Sequence, residues 1–382
     1  MLCIANGNIH DMVSREPFVG SILVEDGRIL RIGADVLPPE GCTVIDASGR
    51  EVYPGFIDAH SHLGIQGTAV GYEGQDYNEY NDAVTPQLRG IDSFNPLDPA
   101  VRAALHGGVT CVATGPGSSN VLGGTFVAVK TLGRCADAMV VRNPIAMKCA
   151  FGENPKRCYQ DKGISARMTT AGKLRETLLR TQDYMLRKEA AGEDVLRRPA
   201  YDMKLEAMIP VVKGELPLKA HAHQANDILT AIRIAKEFGV RMTLEHCTEG
   251  HLVAEEIAAS GFPCAVGPTF GFASKHELQH KSWETPAALW RAGAQVSIIT
   301  DAQVILQENL LLCASFAAKA GMDPFEAMKA ITINPARHIG IADRVGSLEA
   351  GKDADILIFD GDPLKVESRL LTVMVDGRIV ED

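Results

Sequence analysis

The 382-residue sequence predicts a (β/α)8 TIM barrel (α/β class) with a small β-sandwich domain formed by both chain ends. Three observations predict it. Eight apolar, strand-like runs fill the middle of the chain, most of them separated by helical segments. Matching Asp-Gly hairpin signals, Asp26-Gly27 and Asp376-Gly377, stand near the two ends. Four of the central runs also end in histidine or aspartate, and only converging strand ends bring such distant side chains together.

Residues 1–54 read as all-β. Leu23-Val24-Glu25-Asp26-Gly27-Arg28-Ile29-Leu30 is a hairpin, because Asp-Gly supplies the positive φ angles of a two-residue turn. Met374-Val375-Asp376-Gly377-Arg378-Ile379-Val380 repeats the pattern, with another strand expected at Asp355–Phe359. Segments 1–54 and 340–382 together make the composite sandwich, and 55–339 the barrel, entered at Pro54-Gly55. Its strand candidates are Phe56–His62, Val109–Ala113, Phe126–Lys130, Ile145–Phe151, Leu218–His223, Val240–His246, Phe262–Val266 and Val296–Asp301. Between them, Asp227–Phe238 shows Ile228, Ile232 and Ala235 at helical spacing, with Gly239 to end it. A longer charged helix runs from Thr170 to about Leu196. Residues 64–99 have no clear period and read as an insertion after the first barrel strand, a usual place for substrate contacts.

Composition narrows the function. Net charge is −10, from 38 basic and 48 acidic residues, and no basic run occurs. That argues against nucleic-acid or anionic-membrane partners. No apolar run approaches the roughly 20 residues of a membrane span. The N-terminus enters a strand at once, without a signal-peptide pattern. The nine cysteines are scattered, without a CxxC pair, and several lie in apolar runs. They read as reduced thiols of a cytoplasmic protein. A homo-oligomer acting on a small-molecule substrate is the base expectation.

The chemistry sits at four strand ends: Asp58-Ala59-His60-Ser61-His62, Ala220-His221-Ala222-His223, Leu244-Glu245-His246 and Ile299-Thr300-Asp301. Residues two apart on a strand share a face, about 6.6 Å apart along the chain. His60 pairs with His62 in this way, and His221 with His223. By the same alternation His246 falls with Val240, Met242 and Leu244, and Asp301 with Ser297 and Ile299. Taken singly, His60 reads equally well as a core histidine and Asp301 as a cap. Taken together, these polar groups at one barrel mouth point to a divalent metal.

Lys148 and Glu153 compete for a bridging role. Lys148 faces inward with Ala146 and Ala150, and carboxylation of its amine by CO2 would make it a bridging anion. Glu153 lies just past the same strand. Lys156 and Arg157 could clamp a substrate carboxylate. Gly115-Pro116-Gly117-Ser118-Ser119-Asn120 is a polar loop after the second strand, and turn chemistry alone accounts for it.

These residues resemble the metal-dependent amidohydrolase superfamily over essentially the whole chain. Pro54-Gly55-Phe56-Ile57-Asp58-Ala59-His60-Ser61-His62 looks like its first-strand motif. Ile331-Thr332-Ile333-Asn334-Pro335-Ala336 and the run from Val345 to Asp355 look like its C-terminal signature. The resemblance lies nearest the branch of imidazolonepropionase and the Xaa-Pro and Xaa-Arg dipeptidases. Met147-Lys148-Cys149-Ala150 is also similar to the carboxylated-lysine strand of isoaspartyl dipeptidase. It implies one or two divalent metal ions, often zinc. His60, His62 and Asp301 would hold the more buried ion, and His221 and His246 the more exposed one. Lys148 or Glu153 would bridge, and His223 would contact or support substrate. It implies hydrolysis of an amide, cyclic amide or dipeptide-like C–N bond, with Asp301 as catalytic base. Two readings compete. One is a ring-amine deaminase, suggested by the spacing His246-Cys247-Thr248-Glu249. The other is a non-catalytic barrel used for assembly or binding. Two departures stand out: Ala302 follows Asp301 where the family often has histidine, and Gly152–Arg157 lacks the dipeptidases' Gly-rich loop.

Overall fold

The computed structural model describes residues 1–68 and 71–381. The strands in chain order are β1 (Leu2–Ile9), β2 (Phe18–Glu25), β3 (Arg28–Gly33), β4 (Thr43–Asp46), β5 (Glu51–Pro54), β6 (Phe56–Ser61), β7 (Val109–Thr114), β8 (Leu122–Lys130), β9 (Val140–Ala150), β10 (Leu218–Ala222), β11 (Met242–His246), β12 (Cys264–Val266), β13 (Val296–Ile298), β14 (Ile356–Phe359), β15 (Leu370–Val375) and β16 (Arg378–Ile379). They form two eight-stranded sheets, one from the two chain ends and one from β6–β13.

The end sheet runs β16-β15-β14-β5-β1-β2-β3, with β4 added to β1. Asp26 and Gly27 have φ of +49° and +80°, and Asp376 and Gly377 +47° and +71°. These are the left-handed pairs that tight antiparallel turns need. The two turns also meet. Ala354 N donates to Gly27 O at 2.8 Å, and Gly377 N donates to Ala354 O at 3.0 Å. The sheet therefore bends until its outer hairpins touch through Ala354, burying Ile4, Ile22, Ile356 and Met374 in one core. The expected sandwich is a single folded sheet rather than two separate ones.

The barrel sheet runs in the order β13-β12-β11-β10-β9-β8-β7-β6. β9 to β13 pair parallel, as do β6 and β7. β8 differs from the predicted repeat, because it runs antiparallel to both β7 and β9. Chain length explains this. Only residues 115–121 link β7 to β8, fewer than the dozen or so a parallel crossover needs. The chain must reverse, which leaves the 115–121 loop at the C-terminal end of β7. The predicted helix at Asp227–Phe238 runs Ala225–Phe238 and ends at Gly239, φ +64°. The long charged helix spans Arg167–Ala191. The insertion 64–99 lies over the barrel, with residues 69 and 70 outside the described residues.

Ala330 and Ile331 bridge the gap between the end strands β13 and β6. Ile298 N donates to Ala330 O and Ile57 N to Ile331 O, each at 2.8 Å. Asp58 clasps the same seam. Its carboxylate accepts from Thr300 N (2.9 Å), Thr300 Oγ1 (2.6 Å), Gln307 Nε2 (2.5 Å) and His60 N (3.0 Å). Burial pushes this carboxyl up to about 6, against the pull of those donors. With its oxygens occupied in this way, Asp58 fixes where the next residues emerge.

Candidate metal centre

Those next residues are His60 and His62. Their ligand atoms and those of Asp301 lie within 4.8 Å of one another, and His221, His223 and His246 form a second group at the same spacing. Asp301 Oδ1 is 3.3 Å from His62 Nε2 and 3.7 Å from His60 Nε2. The groups adjoin, with the His60 and His246 ring centroids 4.9 Å apart.

Two backbone turns help gather them. Thr243 Oγ1 donates to Glu245 Oε1 at 2.5 Å inside the barrel. Met242 and Leu244 instead join the apolar layer that contains the helix residues Ile228 and Ala231. Strict alternation would send His246 outward with them, as the sequence pattern has it. A left-handed φ of +75° breaks the alternation and brings the imidazole inward. Asp301 has φ +53°. Such conformations cost on the order of 1–3 kcal/mol and persist where their surroundings overdetermine them.

Four imidazoles are oriented through Nδ1. His62 bonds Gly115 O and His246 bonds Gly267 O, each at 2.8 Å, while His60 bonds Glu245 Oε2 at 3.1 Å and His223 meets Thr248 Oγ1 at 2.7 Å. A carbonyl or carboxylate partner fixes Nδ1 as the N–H and leaves Nε2 as a lone pair. Burial holds His60, His221 and His223 well below the usual imidazole range and His246 at about 4. They are neutral donors. His246 Nε2, both His221 nitrogens and Asp301 Oδ1 have no hydrogen-bond partner, although buried polar atoms are nearly always paired. Neutral imidazoles with a carboxylate are the donor set of zinc-like ions. The residues fit one or two such ions.

Lys148 Nζ stands 3.1 Å from His60 Nε2. The side chain is fully buried, and burial lowers its pKa to about 8. Glu153, the rival bridge, belongs to neither group. It opens the helix Glu153–Cys158, and its Oε2 lies 3.4 Å from Glu277 N.

A cavity of about 380 Å³ opens on His62, His221 and Asp301. Tyr77 and Asn78 of the insertion, Ser118 and Ser119 of the 115–121 loop, and Asn154 and Arg157 line its walls. Of the two exposed residues expected to clamp a carboxylate, Arg157 lines the cavity and Lys156 does not. The two neighbours are separated because consecutive helix residues point in different directions. His223, expected at substrate, is not in the lining and packs behind His221 at a centroid distance of 4.6 Å. A larger cavity of about 690 Å³, lined in part by Arg102, His106 and Arg134, shares no residue with the histidine groups.

Sequence reasoning missed several groups. Glu245 carries a buried network, accepting from Lys219 Nζ at 2.9 Å and meeting His338 Nε2 at 2.9 Å while it orients His60. Lys219 was legible, since it shares a period-two face with His221 and His223. Glu277, with Lys275, lies on a loop after β12 where no periodicity marks it. Glu249, the deaminase candidate, is engaged elsewhere. It accepts from Ala225 N at 2.9 Å, capping the helix Ala225–Phe238, and pairs with His280 Nδ1 at 2.7 Å.

Two adjoining groups of histidines and a carboxylate thus stand at the mouth of a barrel that carries an end-sheet domain. The pattern of the Amidohydrolase family matches residues 52–380, and the chain belongs to that family, whose members are hydrolases acting on C–N bonds. The crystal structure of an amidohydrolase from Thermotoga maritima MSB8 superposes with a TM-score of 0.95 at 38% identity, covering 100% of both chains. Amidohydrolase tasK of Hapsidospora irregularis is 30% identical over 392 residues, which is 94% of this chain but only 40% of that protein's length. Imidazolonepropionase of Mesorhizobium japonicum is 25% identical over 370 residues, 89% of this chain and 86% of that one. Among the described residues no helix is long and apolar enough to cross a membrane.

Proposed function

We propose that this protein is a metal-dependent hydrolase of a small polar molecule, cleaving an amide, cyclic amide or dipeptide-like C–N bond. The observation that carries the reading is the pair of adjoining donor groups, with orphaned buried nitrogens and a carboxylate oxygen, at the floor of a small polar cavity. A bound divalent ion, zinc by its donor set, supplies a water acidified toward pKa about 7 and polarises the scissile carbonyl. Asp301 Oδ1 takes the proton from the attacking water and passes it to the leaving nitrogen. His60 and His62 would hold one ion and His221 and His246 the other, their rings oriented by the partners of Nδ1 where these exist. Lys148, carboxylated on Nζ, would supply a further anionic donor beside His60, a role for which its 3.1 Å approach to His60 Nε2 favours it over Glu153. Arg157 meets a substrate carboxylate across the cavity. We further propose a cytoplasmic homo-oligomer with no nucleic-acid or membrane partner, a reading supported by the net charge of −10 and the scattered cysteines and tested by sedimentation.

The test joins metal analysis of the purified protein with a panel of N-acyl amino acids, dipeptides and cyclic amides. The expected result is at least one bound divalent ion and chelator-sensitive release of an amine or carboxylate. Ammonia release from ring amines alone would replace this reading with the deaminase. Metal-free protein with no turnover on reloading would replace it with a binding barrel.

A further inference from the structure

His221 and His223 have one more donor in reach, a carboxylate that lies outside the 4.8 Å spacing shared by all three histidines. Glu277 is fully buried. Glu153 N fixes its Oε2 at 2.9 Å. Gly152 makes that approach possible, because at φ +81° a Cβ there would stand 2.6 Å from Glu277 Oε2. The other oxygen, Oε1, is thereby presented to the histidines, 3.6 Å from His221 Nε2 and 3.7 Å from His223 Nε2. It accepts no hydrogen bond of good geometry. Four donors around an ion at zinc–ligand distances stand roughly 3.3–3.4 Å apart, close to these separations. His223 has its Nδ1 engaged by Thr248, which turns Nε2 toward the same centre.

We propose that Glu277 and His223 join His221 and His246 in a closed four-donor site for a second divalent ion, an inference that rests on the metal-hydrolase reading. Here His223 is a ligand and not a substrate contact. Closed four-donor sites have no open position for water, so water activation belongs to the group of His60, His62 and Asp301. The second ion pins the loop bearing Glu277 across the barrel mouth. Lys275 Nζ lies 2.6 Å from Glu277 Oε1 and 3.2 Å from Asn154 Oδ1. Its ammonium competes with the ion for Oε1, and Asn154 gives it a second resting place.

The test is cobalt titration of chelated full-length protein, read by metal content and by the intense visible absorption of four-coordinate Co2+. Wild type should take two equivalents. Glu277→Gln and His223→Asn should each weaken one of them by about 10- to 100-fold and lose most of that absorption, leaving the other equivalent in place. Lys275→Met should tighten the same equivalent roughly tenfold by removing a competing charge. Unchanged melting of the apo variants separates a lost donor from a lost fold. Glu277→Asp, which keeps the charge and draws the oxygen back, should lose the ion as well. The inference is overturned if Glu277→Gln and His223→Asn both keep wild-type stoichiometry, affinity and spectrum. A wild type that takes a single ion undisturbed by either change overturns it too, while the hydrolase reading stands. Wild-type protein that binds no cobalt overturns the hydrolase reading itself.

Discussion

Two buried lysines on neighbouring strands meet opposite surroundings. Lys130, at the end of β8, is ringed by Asp355 at 2.7 Å, Asp376 at 3.0 Å and Asp353 at 3.2 Å. Burial works against its charge, but the three carboxylates outweigh burial and raise its pKa. Lys148, on β9, hydrogen-bonds instead to a neutral imidazole, and burial lowers its pKa to about 8. In the first cluster Arg344 at 2.7 Å and Arg28 at 3.8 Å also face Asp353, so Lys130 and the carboxylates all have partners, and the cluster joins the barrel to the end sheet. The second leaves nitrogens and an oxygen without partners. Buried charge by itself therefore does not mark a site; buried charge left uncompensated does.

The sharpest separation of the two clusters comes from Asp301. Asp301→Asn should lower kcat by about 10²- to 10⁴-fold, with far-UV dichroism and melting of the metal-free protein close to wild type. A fully active variant would remove Asp301 from the chemistry.

Next comes the same substitution at both lysines. Lys130→Met strands buried Asp355 without its cation, whereas Asp353 keeps Arg344 at 2.7 Å. The substitution should cost about 3–5 kcal/mol in urea unfolding, while kcat of the folded enzyme is unchanged. Lys148→Met replaces an uncompensated buried amine with an apolar side chain of similar volume. Metal-free stability should hold or rise by about 1–2 kcal/mol, and activity should fall at least tenfold. Equal destabilisation at both positions would break the contrast.

How much of this was legible in the sequence follows from the same physics. His60, His62, His221 and Asp301 announce themselves through motif and strand-end position. Lys148 does so through its small inward neighbours Ala146 and Ala150. The reversed direction of β8 was hidden, because the expected strands Val109–Ala113 and Phe126–Lys130 leave residues 114–125 between them, enough for a crossover, whereas β8 begins at Leu122. His246 is also legible as a ligand from its strand end, but the alternation that groups it with Met242 and Leu244 fails, because a left-handed φ at a non-glycine residue leaves no mark in the pattern. Glu245 faces inward for the complementary reason, being out of phase with His246 on a strand taken as regular. Glu277 and Lys275 come from a loop, where side-chain direction depends on contacts such as Glu277 Oε2 with Glu153 N that only the folded chain creates.

A smaller effect tests the support beneath the site. Glu245→Gln keeps the shape of the side chain and removes the charge that orients His60 Nδ1 while pairing with Lys219. Loss of such a supporting carboxylate typically lowers metal affinity by about 10- to 100-fold. The loss should fall on the ion held by His60 and leave the ion held by the three-histidine group in place. A variant with wild-type affinity at both would make the Glu245, Lys219 and His338 network a packing feature, like the ring of aspartates around Lys130.

The smallest effect concerns two adjacent side chains. Arg157 lines the cavity that opens on Asp301, and exposed Lys156 does not. Arg157→Gln should therefore raise KM about tenfold for substrates with a free carboxylate, as expected for a lost charge-assisted contact of about 1.4 kcal/mol. It should leave kcat and the KM of uncharged amides alone. Lys156→Gln should change neither. If both substitutions raised KM equally and high salt abolished the effect, the interaction would be a diffuse attraction between a basic rim and an anion. A response confined to Arg157 and largely insensitive to salt would mean that one guanidinium, carried by the turn of a short helix over the cavity, contacts the substrate directly.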